Sequence, residues 1–128
     1  MAKARRASKN KKPQYGSDVI VDLMKAFDIE YAAFNPGATF RGIHDSILNF
    51  GGNKRPEVIF CCHEEFSVGI AHGYAKAKGK PMVAITHNLV GLQHASMAIF
   101  NAWCGRIPIL ILGGGGTMDA SKRRPWID

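Results

Sequence analysis

The 128 residues, 46% of them hydrophobic, suffice for one domain with a buried core, and no apolar run approaches the length needed to span a bilayer. The formal charge of +7 belongs to one end: residues 1–12 hold six Lys/Arg and no acid, whereas the remainder is nearly neutral. Three cysteines, two of them adjacent at Cys61 and Cys62, exclude a disulfide framework, and the absence of a CxxC pair argues against zinc or redox work.

The N-terminus is charged and has no apolar h-region, so it does not read as a secretory signal, and a cytoplasmic location is expected. Residues 1–15 are expected to form a basic disordered tail that ends near Pro13. No aromatic residues interleave with its charges as a single-strand binder requires, so neither a specific nucleic-acid partner nor a membrane partner is expected.

From residue 16 to residue 128 the chain reads as one domain. Ser17 is placed to cap a helix from Asp18 to about Asp28, with Val19, Leu23, Ala26 and Phe27 as its apolar stripe. A strand over Ile29–Phe34 leads to the breaker cluster Asn35-Pro36-Gly37-Ala38-Thr39. A helix from about Phe40 to Phe50 should turn Ile43, Ile47 and Leu48 inward and end at Gly51-Gly52-Asn53. Then come a strand over Glu57–Cys61, a small-residue helix ending at Gly79-Lys80-Pro81, and a buried strand over Met82–Thr86. A helix from about Gln93 to Trp103 and a strand over Pro108–Leu112 complete the pattern. Short apolar strands alternating with helices predict an α/β fold, a doubly wound parallel sheet flanked by helices. Ligands of such sheets gather in the loops beyond the strands' C-terminal ends, here Asn35–Thr39, Cys62–Glu65, His87–Gln93 and Gly113–Gly116.

The helix after Cys61-Cys62-His63-Glu64-Glu65 carries the most information. Positions four, seven and eleven after Glu64 are Val68, Ala71 and Ala75, so Glu64 heads an apolar stripe, while Glu65 heads His72 and Lys76. Phe66, Ile70, Gly73 and Ala77 occupy another side, where Gly69 and Gly73 leave room for close approach of a further element. From spacing alone, the favoured account of both glutamates is the plain one, acids at the positive end of a helix dipole. Ser67 stands where a second histidine of HExxH would be, and Gly113–Gly116 lacks the Lys-Ser/Thr of a phosphate loop. No metal site is expected.

His-Glu, followed nine residues after the Glu by Gly73-Tyr74-Ala75-Lys76 and then by Gly79-Lys80-Pro81, resembles the pyrimidine-binding (Pyr) domain of thiamine-diphosphate enzymes. This is the group of acetolactate synthase, pyruvate oxidase and benzoylformate decarboxylase, and the likeness runs from about Gly16 to Asp128. It implies a catalytic and cofactor-binding role for Glu64, which would hold N1′ of the aminopyrimidine. It places Pro36 and Gly37, in an Asn-Pro-Gly turn, and Gly91 beside the cofactor, and His87 at the position of a catalytic histidine that relays protons for a substrate hydroxyl.

The chain departs from the family's Gly-Pro-Gly-x-x-Asn, for which it has Leu89-Val90-Gly91-Leu92-Gln93-His94, with His94 in place of the asparagine. Ala38 replaces a serine that meets substrate in the benzoylformate decarboxylase branch. No Gly-Asp-Gly motif is present. The resemblance therefore implies that the diphosphate-binding domain, with its magnesium, lies elsewhere in a longer enzyme or on a separate subunit. The expected activity is that of a 2-keto-acid decarboxylase or acetolactate-synthase-like carboligase, working as a dimer or tetramer on a small 2-keto acid. The alternative is a non-catalytic remnant or interaction subunit that pairs with a full-length relative.

Overall fold

The computed structural model describes residues 12–115 and 119–122. Most of the expected tail (residues 1–11), Gly116 and residues 123–128 lie outside the described residues. The elements are α1 (Gly16–Ala26), β1 (Tyr31–Phe34), α2 (Arg41–Asp45), β2 (Glu57–Phe60), α3 (Glu64–Lys78), β3 (Met82–Thr86), α4 (Leu89–Cys104) and β4 (Ile109–Gly113). All four strands are parallel, in the order β2-β1-β3-β4, with Phe34 level with both Phe60 and Ile85.

Strand alternation builds two cores. Ala32 and Phe34 of β1 with Val83 and Ile85 of β3 face Val21, Met24, Phe40 and Ile47 on one side. Ala33, Met82 and Ala84 face Val68, Ala71, Ala95 and Ala98 of α3 and α4 on the other. All five β3 residues are buried, as a central parallel strand covered on both faces must be. The chain leaves β1 for β2 in one direction and returns past it to β3 in the other. The topological switch point therefore lies between the C-terminal ends of β1 and β3.

Several local expectations change. Ser17 does not cap α1: its hydroxyl oxygen lies 2.8 Å from that of Ser46, and the buried Asp18 carboxylate accepts from the backbone N–H groups of Gln14 and Tyr15 instead. The helix expected over Phe40–Phe50 is three pieces: a 3₁₀ turn at Ala38–Phe40, α2, and a π turn at Ser46–Phe50. The Gly51 N–H bonds five residues back to Ser46, where a Cβ would come within 2.7 Å of the Ile47 carbonyl oxygen. This widened turn buries Ile47 and swings Leu48 outward. Helix α4 begins at Leu89, four residues earlier than expected, and so takes Gly91 into its first turn. At Gly69 and Gly73 a Cβ would meet nothing within 4 Å, so the close approach expected there is not made by any described part of this chain.

The end of the sheet opposite the switch point carries the ionic groups. Asp28 pairs with Arg55 at 2.5 Å and with Lys80 at 2.6 Å, and the Tyr74 hydroxyl donates to Glu30 at 2.5 Å. That bond, with burial, pushes the Tyr74 phenol up to about 12.

Candidate functional site

Glu64 opens α3 directly after β2 and turns its side chain inward, leaving it 6% exposed, because the residues that follow it on the same stripe are core. Glu65 is exposed. His63 caps the helix, its Nδ1 accepting the Glu65 N–H at 3.2 Å. The buried carboxylate meets two side chains from distant segments. Asn35, just beyond β1, donates from Nδ2 to Oε1 at 3.4 Å, and His94 of α4 places Nδ1 3.4 Å from Oε2. Both contacts are long, and a carboxylate with about four lone-pair sites keeps acceptor capacity beyond them.

Gly91 explains how α4 comes so near. A Cβ there would lie 2.8 Å from the His87 Cβ and 3.1 Å from Glu64 Cγ and Oε1. Only glycine lets the first turn of α4 pack against both residues. Gly91 and His94 are three apart in the same helix and so share a face. At the switch point, a Cβ on Gly37 would meet His87 Cδ2 at 2.7 Å, so the imidazole lies against the turn after β1. His87 Nδ1 is 2.7 Å from Asn88 Oδ1. An amide oxygen only accepts, so Nδ1 is the donor in this contact, and in a neutral ring Nε2 then carries the lone pair.

The structure thus gathers Glu64, His87, Gly91 and Gly37 into one chain of contacts. Pro36 stands exposed beside Gly37. Asn35, His63 and His94 join the site, although the sequence offered Asn35 and His63 only as members of ligand-gathering loops and His94 only as a departure from the family pattern. Gly91 and His94 at i and i+3 of a helix would have signalled this, had the helix been started before the glycine.

Among the described residues, His63, Glu64 and His94 form a group whose potential metal-ligating atoms lie within 4.8 Å of one another. The two imidazoles are stacked, with centroids 4.6 Å apart and planes 19° from parallel. Imidazole lone pairs lie in the ring plane, so an ion in the plane of one ring is lifted out of the plane of the other.

Residues 14–125 match the family model for the thiamine pyrophosphate enzyme, N-terminal TPP binding domain. The chain belongs to this family. The acetolactate synthase large subunit of Lactococcus lactis subsp. lactis is 30% identical over 106 residues, which cover 83% of this chain and 18% of that protein. That of Haemophilus influenzae is 29% identical over 99 residues, covering 77% of this chain and 17% of that protein. The crystal structure of benzoylformate decarboxylase from Polynucleobacter necessarius superposes with a TM-score of 0.71 at 22% identity, over 87% of this chain and 20% of that one, a likeness of fold. The chain therefore spans less than a fifth of the two synthase subunits. Within this TPP binding domain, no helix among the described residues is long and apolar enough to cross a membrane.

Proposed function

We propose that this TPP binding domain holds the aminopyrimidine end of thiamine diphosphate through Glu64, as the N-terminal part of a 2-keto-acid decarboxylase or acetolactate-synthase-like carboligase. The observation that carries the reading is a buried carboxylate at the mouth of a parallel sheet, next to the switch point, with two long contacts and acceptor capacity to spare. Such a group fits the N1′ edge of a protonated or tautomerised aminopyrimidine. Thiamine diphosphate, when bound, supplies a carbon nucleophile that adds to a carbonyl and then acts as an electron sink.

In this reading Glu64 would share a proton with N1′ of the aminopyrimidine, while Asn35 and His94 fix the plane of the carboxylate. Pro36, Gly37 and Gly91 border the cofactor. His87, whose Asn88 contact leaves the lone pair on Nε2, takes up and returns a proton at the substrate. The diphosphate and its magnesium are held by a diphosphate-binding domain or subunit that this segment does not supply.

An uncovered face supports such a partner. Phe66 and Ile70 of α3 and Met97, Phe100 and Trp103 of α4 are all at least 40% exposed. A groove of about 840 Å³ runs among Phe60, Phe66, Ile70, Ala98 and Asn101. Apolar surface of this extent belongs against another protein surface, and in this reading a second subunit of a homo-oligomer or the diphosphate-binding domain covers it.

The test is calorimetric titration of the native protein with thiamine diphosphate and magnesium, followed by assay on small 2-keto acids. Saturable binding that Glu64→Gln weakens at least tenfold is expected, with consumption of the keto acid. Wild-type affinity in Glu64→Gln sinks the role of Glu64. Binding without turnover of any 2-keto acid favours the non-catalytic subunit.

A further inference from the structure

We infer that Pro36 is a positioning residue: it stiffens the Asn35-Pro36-Gly37 turn, so that one rigid segment holds Glu64 and His87 in fixed register. The inference rests on the reading of these two side chains as the groups that exchange protons with cofactor and substrate.

Glu64 and His87 touch the same two segments. One is the first turn of α4, where a Cβ on Gly91 would lie 3.1 Å from Glu64 Oε1 and 2.8 Å from the His87 Cβ. The other is the turn after β1. Its first residue, Asn35, donates from Nδ2 to Glu64 Oε1 at 3.4 Å. Its third, Gly37, comes so near His87 that a Cβ would stand 2.7 Å from the ring Cδ2. Gly37 is extended, at φ −143° and ψ 149°, so glycine serves the close approach there and not the backbone conformation. All these contacts are internal to the chain and depend on no surface that a partner covers.

The two segments differ in what makes them rigid. Helix α4 has its own ladder of hydrogen bonds. Asn35, Pro36 and Gly37 belong to no helix or strand, so no repeating ladder stiffens them. Their ends are pinned: the Phe34 carbonyl accepts from the Cys61 N–H at 2.9 Å, and the core residue Phe40 places Cε1 3.0 Å from where a Gly37 Cβ would be. Between the pins, proline removes the slack. Its ring fixes φ near −65°, and its Cδ confines the preceding Asn35 to extended backbone. Both restraints fall between the contact to Glu64 and the contact to His87. Catalytic groups need such a link, since a misplacement of about 1 Å can cost about 10²-fold in rate.

The experiment compares Pro36→Ala and Pro36→Gly in the native protein at saturating thiamine diphosphate and magnesium. Backbone freedom rises from Pro through Ala to Gly. The kcat for a 2-keto acid should fall in that order, by about 10²-fold in Pro36→Gly, with KM within a few-fold of wild type. Equal losses in the two variants would trace the effect to the missing ring surface, and wild-type kcat in both would show that the turn needs no stiffening; either result overturns the proposal. A second readout needs neither cofactor nor turnover. In ¹³C-histidine-labelled protein, Asn35→Ala should shift the His87 Cδ2–H resonance, because the stiff turn passes the change on. The same substitution should shift it clearly less in a Pro36→Gly background. The Gly91 contacts are present in both backgrounds, so the difference isolates the turn. No shift, or an equal shift in both, overturns the proposal. Failure of the wild type to bind thiamine diphosphate overturns the reading of Glu64 and His87 instead, and the resonance shifts still decide whether Pro36 couples them.

Discussion

Gly91 and Glu64 are packed so closely that a single methyl group on Gly91 would stand 3.1 Å from the Glu64 Cγ and Oε1. The same methyl would lie 2.8 Å from the His87 Cβ, which is fixed to the backbone and cannot swing aside. Gly91→Ala should therefore move α4 away from Glu64 and lower stability by about 1–3 kcal/mol, the usual cost of overpacking. The loss of thiamine diphosphate affinity should exceed what this destabilisation explains. Denaturant midpoints and calorimetric titration on the same variant check both. A fully stable protein that binds as well as wild type would mean that the contact relaxes freely.

His87→Gln keeps a side chain of similar size against Gly37 but removes the proton-accepting Nε2. Cofactor affinity should stay within a few-fold of wild type, while turnover of a 2-keto acid should fall about 10²–10⁴-fold, the range for loss of a general acid–base group. Equal losses in binding and turnover would instead assign His87 to packing against Gly37 and Gly91.

Legibility in the sequence followed the range of the interaction. The buried β3 run Met82–Thr86 and the Val68, Ala71, Ala75 stripe beneath Glu64 repeat at the period of their own element, and both were legible from a few residues. The burial of Glu64 followed from that stripe. Its partners did not: Asn35 and His94 lie 29 and 30 residues away, and the Gly91–His94 spacing speaks only once the helix is known to begin at Leu89. The widened turn at Ser46–Phe50 escaped for a similar reason, since the packing of Ile47 and Gly51 sets it against ordinary helix periodicity. The glycine at 91 weakens the helix pattern in the very turn that touches the site.

The exposed stripe on α3 and α4 gives a prediction about assembly. Changing Phe66 or Trp103 to Lys places a charge where a partner surface is expected to sit, 55% and 81% exposed respectively in this chain. Burying an unpaired charge is costly, so the native protein should dissociate to a smaller species, with unchanged secondary structure. Sedimentation velocity and circular dichroism test this. An unchanged sedimentation coefficient in both variants would leave the face facing solvent.

Asp18 should make the N-terminal helix sensitive to acid. The Ser46 hydroxyl foremost, then the Gln14 and Tyr15 N–H groups, hold its carboxyl below the usual 3.8. A carboxyl depressed in the folded state contributes stability that is present above the unfolded value and lost as pH falls through the lower folded value. The gap in urea midpoint between wild type and Asp18→Asn should therefore be wide at pH 7 and close progressively below about pH 4. A gap of constant width across that range would mean that the charge of Asp18 contributes nothing.

Tyr74 makes the opposite prediction at the alkaline end. Its hydroxyl donates to Glu30 at 2.5 Å, and this bond, with burial, raises the phenol from 10.0 to about 12. Ionisation removes the donated proton and sets a phenolate against a carboxylate. A group raised in the folded state stabilises fully below its unfolded value and loses that contribution as pH rises through the folded one. Stability from this pair should thus persist to about pH 10 and fall towards pH 12. Absorbance titration should show a late tyrosinate that is missing in Tyr74→Phe and appears earlier in Glu30→Gln, where the neutral amide removes the repelling charge. The same late titration in Glu30→Gln would assign the shift to burial beside Tyr31, whose ring meets Tyr74 edge-on at 5.5 Å, rather than to the hydrogen bond.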